Sequence, residues 1–256
     1  MKILLTGSNG VIGRFLSKKL KDHDVYVPKR HTVDFTNRDH VDKLFNSHNR
    51  FDLVIHCAVR GGNRLYQDSW DVLDDNLKMY YNILSHKNSF DKFITFGSGA
   101  EIYASDTPYG LSKKVISKSV LDQFNFYNIR IFGLFGEGEL ESRFIRANLE
   151  RYKNNQPIEI YQNKMMDFFY IEDLWKVVKY YIDNQFLEKE INCSYEQSNL
   201  VDLLSIANMI NLLDNHTVDI IIKDKEYGNP YTGDSCKLNL NYIGLERGLQ
   251  LEYKKL

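Results

Sequence analysis

The chain has 256 residues, with 33 Lys and Arg against 34 Asp and Glu, a formal net charge of −1. That length carries one large domain or a domain plus a small lobe, with ample material for a buried core. Near-neutral charge excludes an electrostatic case for nucleic acid or a membrane surface as partner, and no apolar stretch approaches the ~20 residues of a membrane helix.

The chain opens on an apolar strand over residues 2–6, with one lysine, which is not a signal-peptide pattern. Gly7, Gly10 and Gly13 follow at spacing three, and a helix is expected over 11–21. Such a strand, glycine turn and helix suit a dinucleotide pyrophosphate. The glycines allow a tight turn, close backbone approach and close helix packing, and the helix N-terminus offers free N–H groups to an anion. A second strand is expected over 24–27, a helix near 38–48, a strand over 53–58 and a long helix over 69–87. A strand over 93–96, a helix over 110–126 and a strand over 128–132 continue the alternation. Short apolar strands between such helices predict an α/β fold with a Rossmann-type, doubly wound parallel sheet. The pattern loosens after Gly138. Helices are expected over 141–153, about 172–184 and 200–213, the last capped by Ser198 or Asn199. Strand-like segments lie at 158–160, 167–171 and 218–222. The expected organisation is a dinucleotide-binding Rossmann domain over 1–138, then a mixed segment over 139–256 that adds to the sheet and forms a small C-terminal α/β substrate lobe. The three cysteines are scattered, show no metal-ligand spacing, and fit reduced thiols in a cytoplasm.

Two local patterns carry chemistry. Tyr109 and Lys113 are four apart on a helix and so share a face. An ammonium there favours phenolate and makes the phenol a better proton-transfer group at neutral pH. A carboxylate about 20 residues past the glycines would bind the ribose diol of NAD. This strand instead leads into Lys29-Arg30, two cations suited to a 2′-phosphate, so NADP is expected over NAD. His56, inside an apolar strand, reads as a satisfied core histidine. Trp70, Trp175 and the aromatic runs at 124–127 and 168–170 read as core or interface.

The segments Thr6 to Gly13, His56-Cys57-Ala58, Tyr109 to Lys113 and Phe169-Tyr170-Ile171-Glu172-Asp173-Leu174 together resemble the extended short-chain dehydrogenase/reductases. The resemblance is to their nucleotide-sugar epimerase/dehydratase branch, and within it to keto-reductases of the GDP-fucose synthase type. It runs nearly end to end and is looser over the C-terminal lobe. It implies Tyr109 as the proton donor, Lys113 on the nicotinamide ribose, and Gly7, Asn9, Gly10, Val11, Ile12 and Gly13 along the pyrophosphate. It puts Asp34 and Phe35 at adenine, Ala58 and Val59 on the nicotinamide side, and Asn76 beside the cofactor loops. It also implies a nucleotide-diphosphate sugar as substrate and a homodimer built on the helices at 69–87 and 110–126.

The chain departs from that family pattern in telling places. The usual Ser or Thr position falls on Gly99, with the hydroxyl one residue earlier, at Ser98. Ser98, Gly99, Glu101 and Arg143 are the expected substrate-side residues. The Asp-Glu pair of the sugar dehydratases reads Ala100-Glu101, which argues against dehydration. The Cys and His of the epimerising reductases align with Glu101 and Arg143, and Arg does not shuttle protons near neutral pH. The arginine before the Phe-x-Tyr-Ile segment is Met166. The expected reaction is NADPH-dependent reduction of a nucleotide-linked 4-keto-6-deoxy sugar. An epimerase with retained NAD(H) and a non-catalytic NADP-sensing module are the alternatives.

Overall fold

The structure is a computed structural model that describes residues 1–63, 66–196 and 201–256. The caps expected at Ser198 and Asn199 lie outside the described residues. The chain divides into two compact units, Met1–Arg130 with Lys179–Ile191, and Ile131–Val178 with Asn192–Leu256.

The first unit carries the sheet. Its opening elements are β1 (Lys2–Thr6), α1 (Val11–Lys19), β2 (Asp24–Tyr26), α2 (Arg38–Ser47), β3 (Phe51–His56) and α3 (Asp71–Leu84). Then come β4 (Phe90–Ser98), the short α4 (Ala100–Tyr103), α5 (Pro108–Leu121) and β5 (Phe126–Ile131). A late strand, β9 (Glu190–Cys193), completes a six-stranded sheet of order β2-β1-β3-β4-β5-β9. β1 pairs parallel with β2 on one side and β3 on the other, and β3 pairs parallel with β4. This is the α/β Rossmann-like fold the alternation predicts. The strands read as apolar runs because both sheet faces are covered: Ile3, Leu4, Leu5, Leu53, Val54, Ile55, Phe93 and Ile94 are all fully buried.

Chain order reverses about β1, so the crevice beyond the C-terminal ends of β1 and β3 is the topological switch point of the sheet. Helix starts are written locally. Asn37 caps α2 by accepting from the His40 amide at 3.3 Å, and Thr107 caps α5 by accepting from the Gly110 amide at 3.1 Å. Pro108 opens the first turn of α5, where its missing N–H is harmless, and so puts Tyr109 in that turn. α3 and α5 lie side by side, joined by Tyr80 O–H to Ser119 Oγ at 3.0 Å and Asn76 Nδ2–H to Ser112 Oγ at 3.0 Å. Trp70 and Phe124 are exposed, whereas Phe126 and Tyr127 are buried.

The second unit is smaller-stranded. It holds β6 (Leu134–Phe135) paired with β8 (Phe169–Tyr170), and β7 (Ile158–Gln162) paired parallel with β10 (Ile220–Asp224). Packed with them are α6 (Phe144–Lys153), α8 (Leu203–Ile210), and α9 (Leu245–Tyr253), which the sequence reading missed. The helix α7 (Ile171–Asp183) contributes its first two turns to this unit. Asp202 caps α8 by accepting from the Ser205 amide at 2.8 Å. The buried Asp173 carboxylate accepts from the amides of Ile243 (2.8 Å) and Gly244 (2.9 Å), from Lys176 Nζ (2.9 Å) and from Tyr195 O–H (2.7 Å). The Phe-Tyr-Ile-Glu-Asp segment therefore ties this unit together. No helix of the described residues is long and apolar enough to cross a membrane.

Candidate active site

A cavity of about 290 Å³ opens at the switch point. It gathers many of the residues the sequence singles out: Gly7, Asn9, Gly10, Arg30, Asp34, Phe35, Ala58 and Val59. Gly7 has φ +68°, and a Cβ there would run into the backbone of Cys57 and Ala58. Only glycine lets the β1 loop cross beneath the β3 loop. A Cβ on Gly13 would in turn strike Gly7 O, so α1 starts hard against this turn. Gly10, by contrast, is the exposed N-cap of α1 and accepts the first helical bond from the Arg14 amide at 2.9 Å. Its neighbours Val11, Ile12 and Gly13 form the first turn behind it, where amides have no partner within the helix. That combination, an open glycine and a helix N-terminus at a cavity, fits a pyrophosphate.

The two cations are not equivalent. Arg30 is in the cavity wall, and Lys29 is not among the lining residues. The Lys29 carbonyl accepts from the amides of Thr32 and Val33, both at 2.9 Å, which folds the turn after β2. The Asp34 carboxylate accepts from the Thr36 amide (3.0 Å) and hydroxyl (2.8 Å). The Thr36 amide, with Arg30 nearby, holds it below the usual carboxylate range. Asn76 is buried and clamps the β3 loop: its Oδ1 accepts from Arg60 N at 2.8 Å and its Nδ2 donates to Arg60 O at 3.0 Å. Asn76 thus braces the cavity wall without lining it. Arg60, Asp75, Thr36 and Met79 line the cavity and escaped the sequence reading. The adjacent Asp75-Asn76 pair was the available signal, since Asp75 holds the Arg60 side chain at 2.5 Å.

Tyr109 and Lys113 lie outside this cavity's lining, beside the C-terminal end of β4. Lys113 Nζ is 5.8 Å from the centre of the Tyr109 ring and donates to Phe96 O at 2.7 Å. The side chain is half-buried and its ammonium is enclosed, and burial pulls its pKa down to about 8. His56 is neutral, its pKa brought down to about 3 by burial and by Lys113. Its Nδ1 lies 2.9 Å from Thr6 Oγ1, which also accepts from Ala58 N at 3.1 Å. The expected core histidine therefore anchors the β3 loop through Thr6.

Ser98 ends β4, and its Oγ accepts from the Ala100 amide at 3.2 Å. Gly99 caps α4 with helical angles, its carbonyl accepting from the amides of Ile102 and Tyr103 at 3.0 Å. Glu101 departs from its expected place facing a sugar. It is buried, its Oε1 accepts from the Ser98 amide at 2.8 Å, and its Oε2 accepts from Arg130 Nε at 3.0 Å. Arg130 also meets Glu190 at 2.5 Å, and Glu190 accepts from Ser117 (2.7 Å) and Asn128 (3.0 Å). A long carboxylate next to the end of β4 turns inward because a guanidinium on β5 waits beneath it. Arg143 belongs to the second unit, as the N-cap of α6. In that unit Glu139, which the sequence reading passed over, is pushed up to about 8 by burial.

Residues 3–194 match the family described as the NAD dependent epimerase/dehydratase family. The chain belongs to that family. It is similar to GDP-L-colitose synthase of Yersinia pseudotuberculosis, 27% identical over 165 residues, which is 62% of this chain and 49% of that protein. The chain thus spans about half the length of that relative. Among solved structures it is similar to MlghC, a GDP-mannoheptose C4 reductase from Campylobacter jejuni with NADP bound, at TM-score 0.79 and 19% identity, covering 99% and 97% of the two chains. A GDP-L-fucose synthetase from Naegleria fowleri bound to NADP aligns at TM-score 0.76 and 15% identity, covering 99% and 91%. These structural likenesses establish the shared fold.

Proposed function

We propose that this protein is an NADPH-dependent keto-reductase acting on a nucleotide-linked 4-keto-6-deoxy sugar. The carrying observation is the enclosed Lys113 ammonium 5.8 Å from the Tyr109 ring centre, at the end of a strand in the unit that holds the glycine-turn cavity. When bound, the reduced nicotinamide supplies the hydride to the keto carbon. Tyr109 gives its hydroxyl proton to the keto oxygen, so the products are the alcohol and the oxidised cofactor. Lys113 stabilises the phenolate left behind. Ser98, whose oxygen accepts from the Ala100 amide, keeps its own proton to donate to the keto oxygen. Gly7, Gly10 and the first turn of α1 receive the pyrophosphate, and Asp34 with Phe35 receives adenine.

Arg30 in the cavity wall supports NADP over NAD. The NADP-bound neighbours, a GDP-mannoheptose C4 reductase and a GDP-fucose synthetase, support the same cofactor and a GDP-sugar. The α3–α5 face is the proposed homodimer surface. The assay combines purified protein, NADPH and GDP-4-keto-6-deoxymannose. NADPH loss equal to the alcohol formed is the expected result, and in Tyr109→Phe turnover falls by about 10²–10⁴-fold with NADPH binding retained. Product formed without net cofactor consumption would identify an epimerase instead, and an undiminished Tyr109→Phe rate would remove the proton-donor role.

A further inference from the structure

The loop after β3 does more than close the dinucleotide cavity. Gly61 and Gly62 both take left-handed angles, φ +80° and +75°. Consecutive residues there are disfavoured for any side chain, so the pair is held by its surroundings. What holds it is Asp68, whose Oδ2 accepts from the Gly62 amide at 2.9 Å. A Cβ on Gly61 would already stand 2.8 Å from Asp68 Oδ1, which leaves no slack on that side.

The other side of the loop rests on Tyr109. A Cβ on Gly62 would lie 2.9 Å from both Cε2 and Cζ of that ring and 3.1 Å from Cε1. Near-equal distances to the two ε carbons put the approach on the symmetry plane of the ring. An end-on approach would make the hydroxyl oxygen a nearest atom, and it is not one of the three nearest. The glycine therefore covers the ring face at its phenol end, at a distance any larger residue would violate.

We propose that Gly61, Gly62 and Asp68 form a clasp over the Tyr109 ring, with Asp68 the positioning residue that holds the phenol in line for proton transfer. The inference rests on the reading of Tyr109 as the proton donor. Among the described residues, the Lys113 ammonium lies 5.8 Å from the ring centre, and the Asp68 carboxylate meets the ring through the Gly62 amide it accepts from. A loosened clasp lets the ring move away from the ammonium and raises the phenol pKa.

The test reads the phenol directly and needs no substrate. With 3-fluorotyrosine introduced at position 109, fluorine NMR follows its ionisation in the full-length protein, with thermal unfolding as the check on folding. Gly62→Ala, which changes no charge, is expected to raise the midpoint by about half a unit or more and to broaden the resonance, and Asp68→Ala, whose lost negative charge by itself lowers the midpoint, is read against Asp68→Asn, which loses the same charge. Asp68→Asn keeps an acceptor for the Gly62 amide and is expected to retain the wild-type resonance width, with a midpoint below that of Asp68→Ala. Identical titrations and linewidths for Asp68→Asn and Asp68→Ala would assign Asp68 a charge effect only and overturn the clasp. An unchanged titration in all variants would overturn it too. Because the titration runs without sugar or NADPH, its outcome is independent of whether the reduction assay succeeds.

Discussion

The glycine-turn cavity and the end of β4 are both candidate sites at strand C-termini, yet they are built in opposite ways. The cavity is made of backbone: a glycine turn crossing beneath the β3 loop, a helix N-terminus, and apolar walls from Val33, Phe35 and Met79. Its charged members reach toward solvent, as the exposed Arg60 does while paired with the half-buried Asp75. The β4 end instead sits on buried charge. Lys113 is enclosed, and Glu101, Arg130 and Glu190 form an ion network one layer below Ser98. A backbone-built pocket tolerates change in its side chains. The Glu101–Arg130–Glu190 network does not, because each member neutralises another, whereas Lys113 is held there at a cost.

Removing one charge from that platform has the largest expected effect on stability. Arg130→Ala leaves the buried Glu101 without its partner and should cost about 3–5 kcal/mol in urea unfolding. A cost under ~1 kcal/mol would mean the network is solvated in practice and the contrast with the cavity is lost. Glu101 itself is raised above its usual range by burial, against the pull of Arg130 and the Ser98 amide.

Lys113 sharpens the contrast through pH. Its folded-state pKa, about 8, lies below the unfolded value of 10.5. Between those values the unfolded chain binds more protons, so stability rises with pH through that window, and the penalty is fully present below it. Lys113→Met should therefore be more stable than wild type at pH 7 by roughly 1–3 kcal/mol, with the advantage shrinking as pH climbs toward 10. Thermal or urea unfolding across that range checks it, and a constant advantage would remove the enclosed ammonium from the account.

The smallest effects belong to the cavity rim. Arg30→Ala should weaken NADP binding by about 1–2 kcal/mol, lower NAD binding less, and leave stability within ~0.5 kcal/mol. Lys29→Ala should change NADP affinity less than Arg30→Ala does, because Lys29 is outside the wall. Equal losses for NADP and NAD by calorimetry would sink the 2′-phosphate role.

Much of this was readable before any tertiary information. The alternation of strands and helices, the Gly7 turn and the shared face of Tyr109 and Lys113 all follow from local periods and local sterics, and they sit where the spacing puts them. The second unit was harder to read. α9 begins after Gly244 without a side-chain cap, and β6 and β8 are two residues each, too short to show any period. Three features had no local signal at all. Arg30 rather than Lys29 lines the cavity, a choice between two adjacent cations that the sequence does not distinguish. Glu101 faces inward because Arg130, 29 residues later, lies on the neighbouring strand. Gly62 must be glycine because the ring of Tyr109 rests against it. By itself the amino-acid sequence determined which backbone shapes were available, since period, glycine and capping act within a few residues. Tertiary structure alone decided which charges meet, because a side chain's partner is set by the packing of elements far apart in the chain.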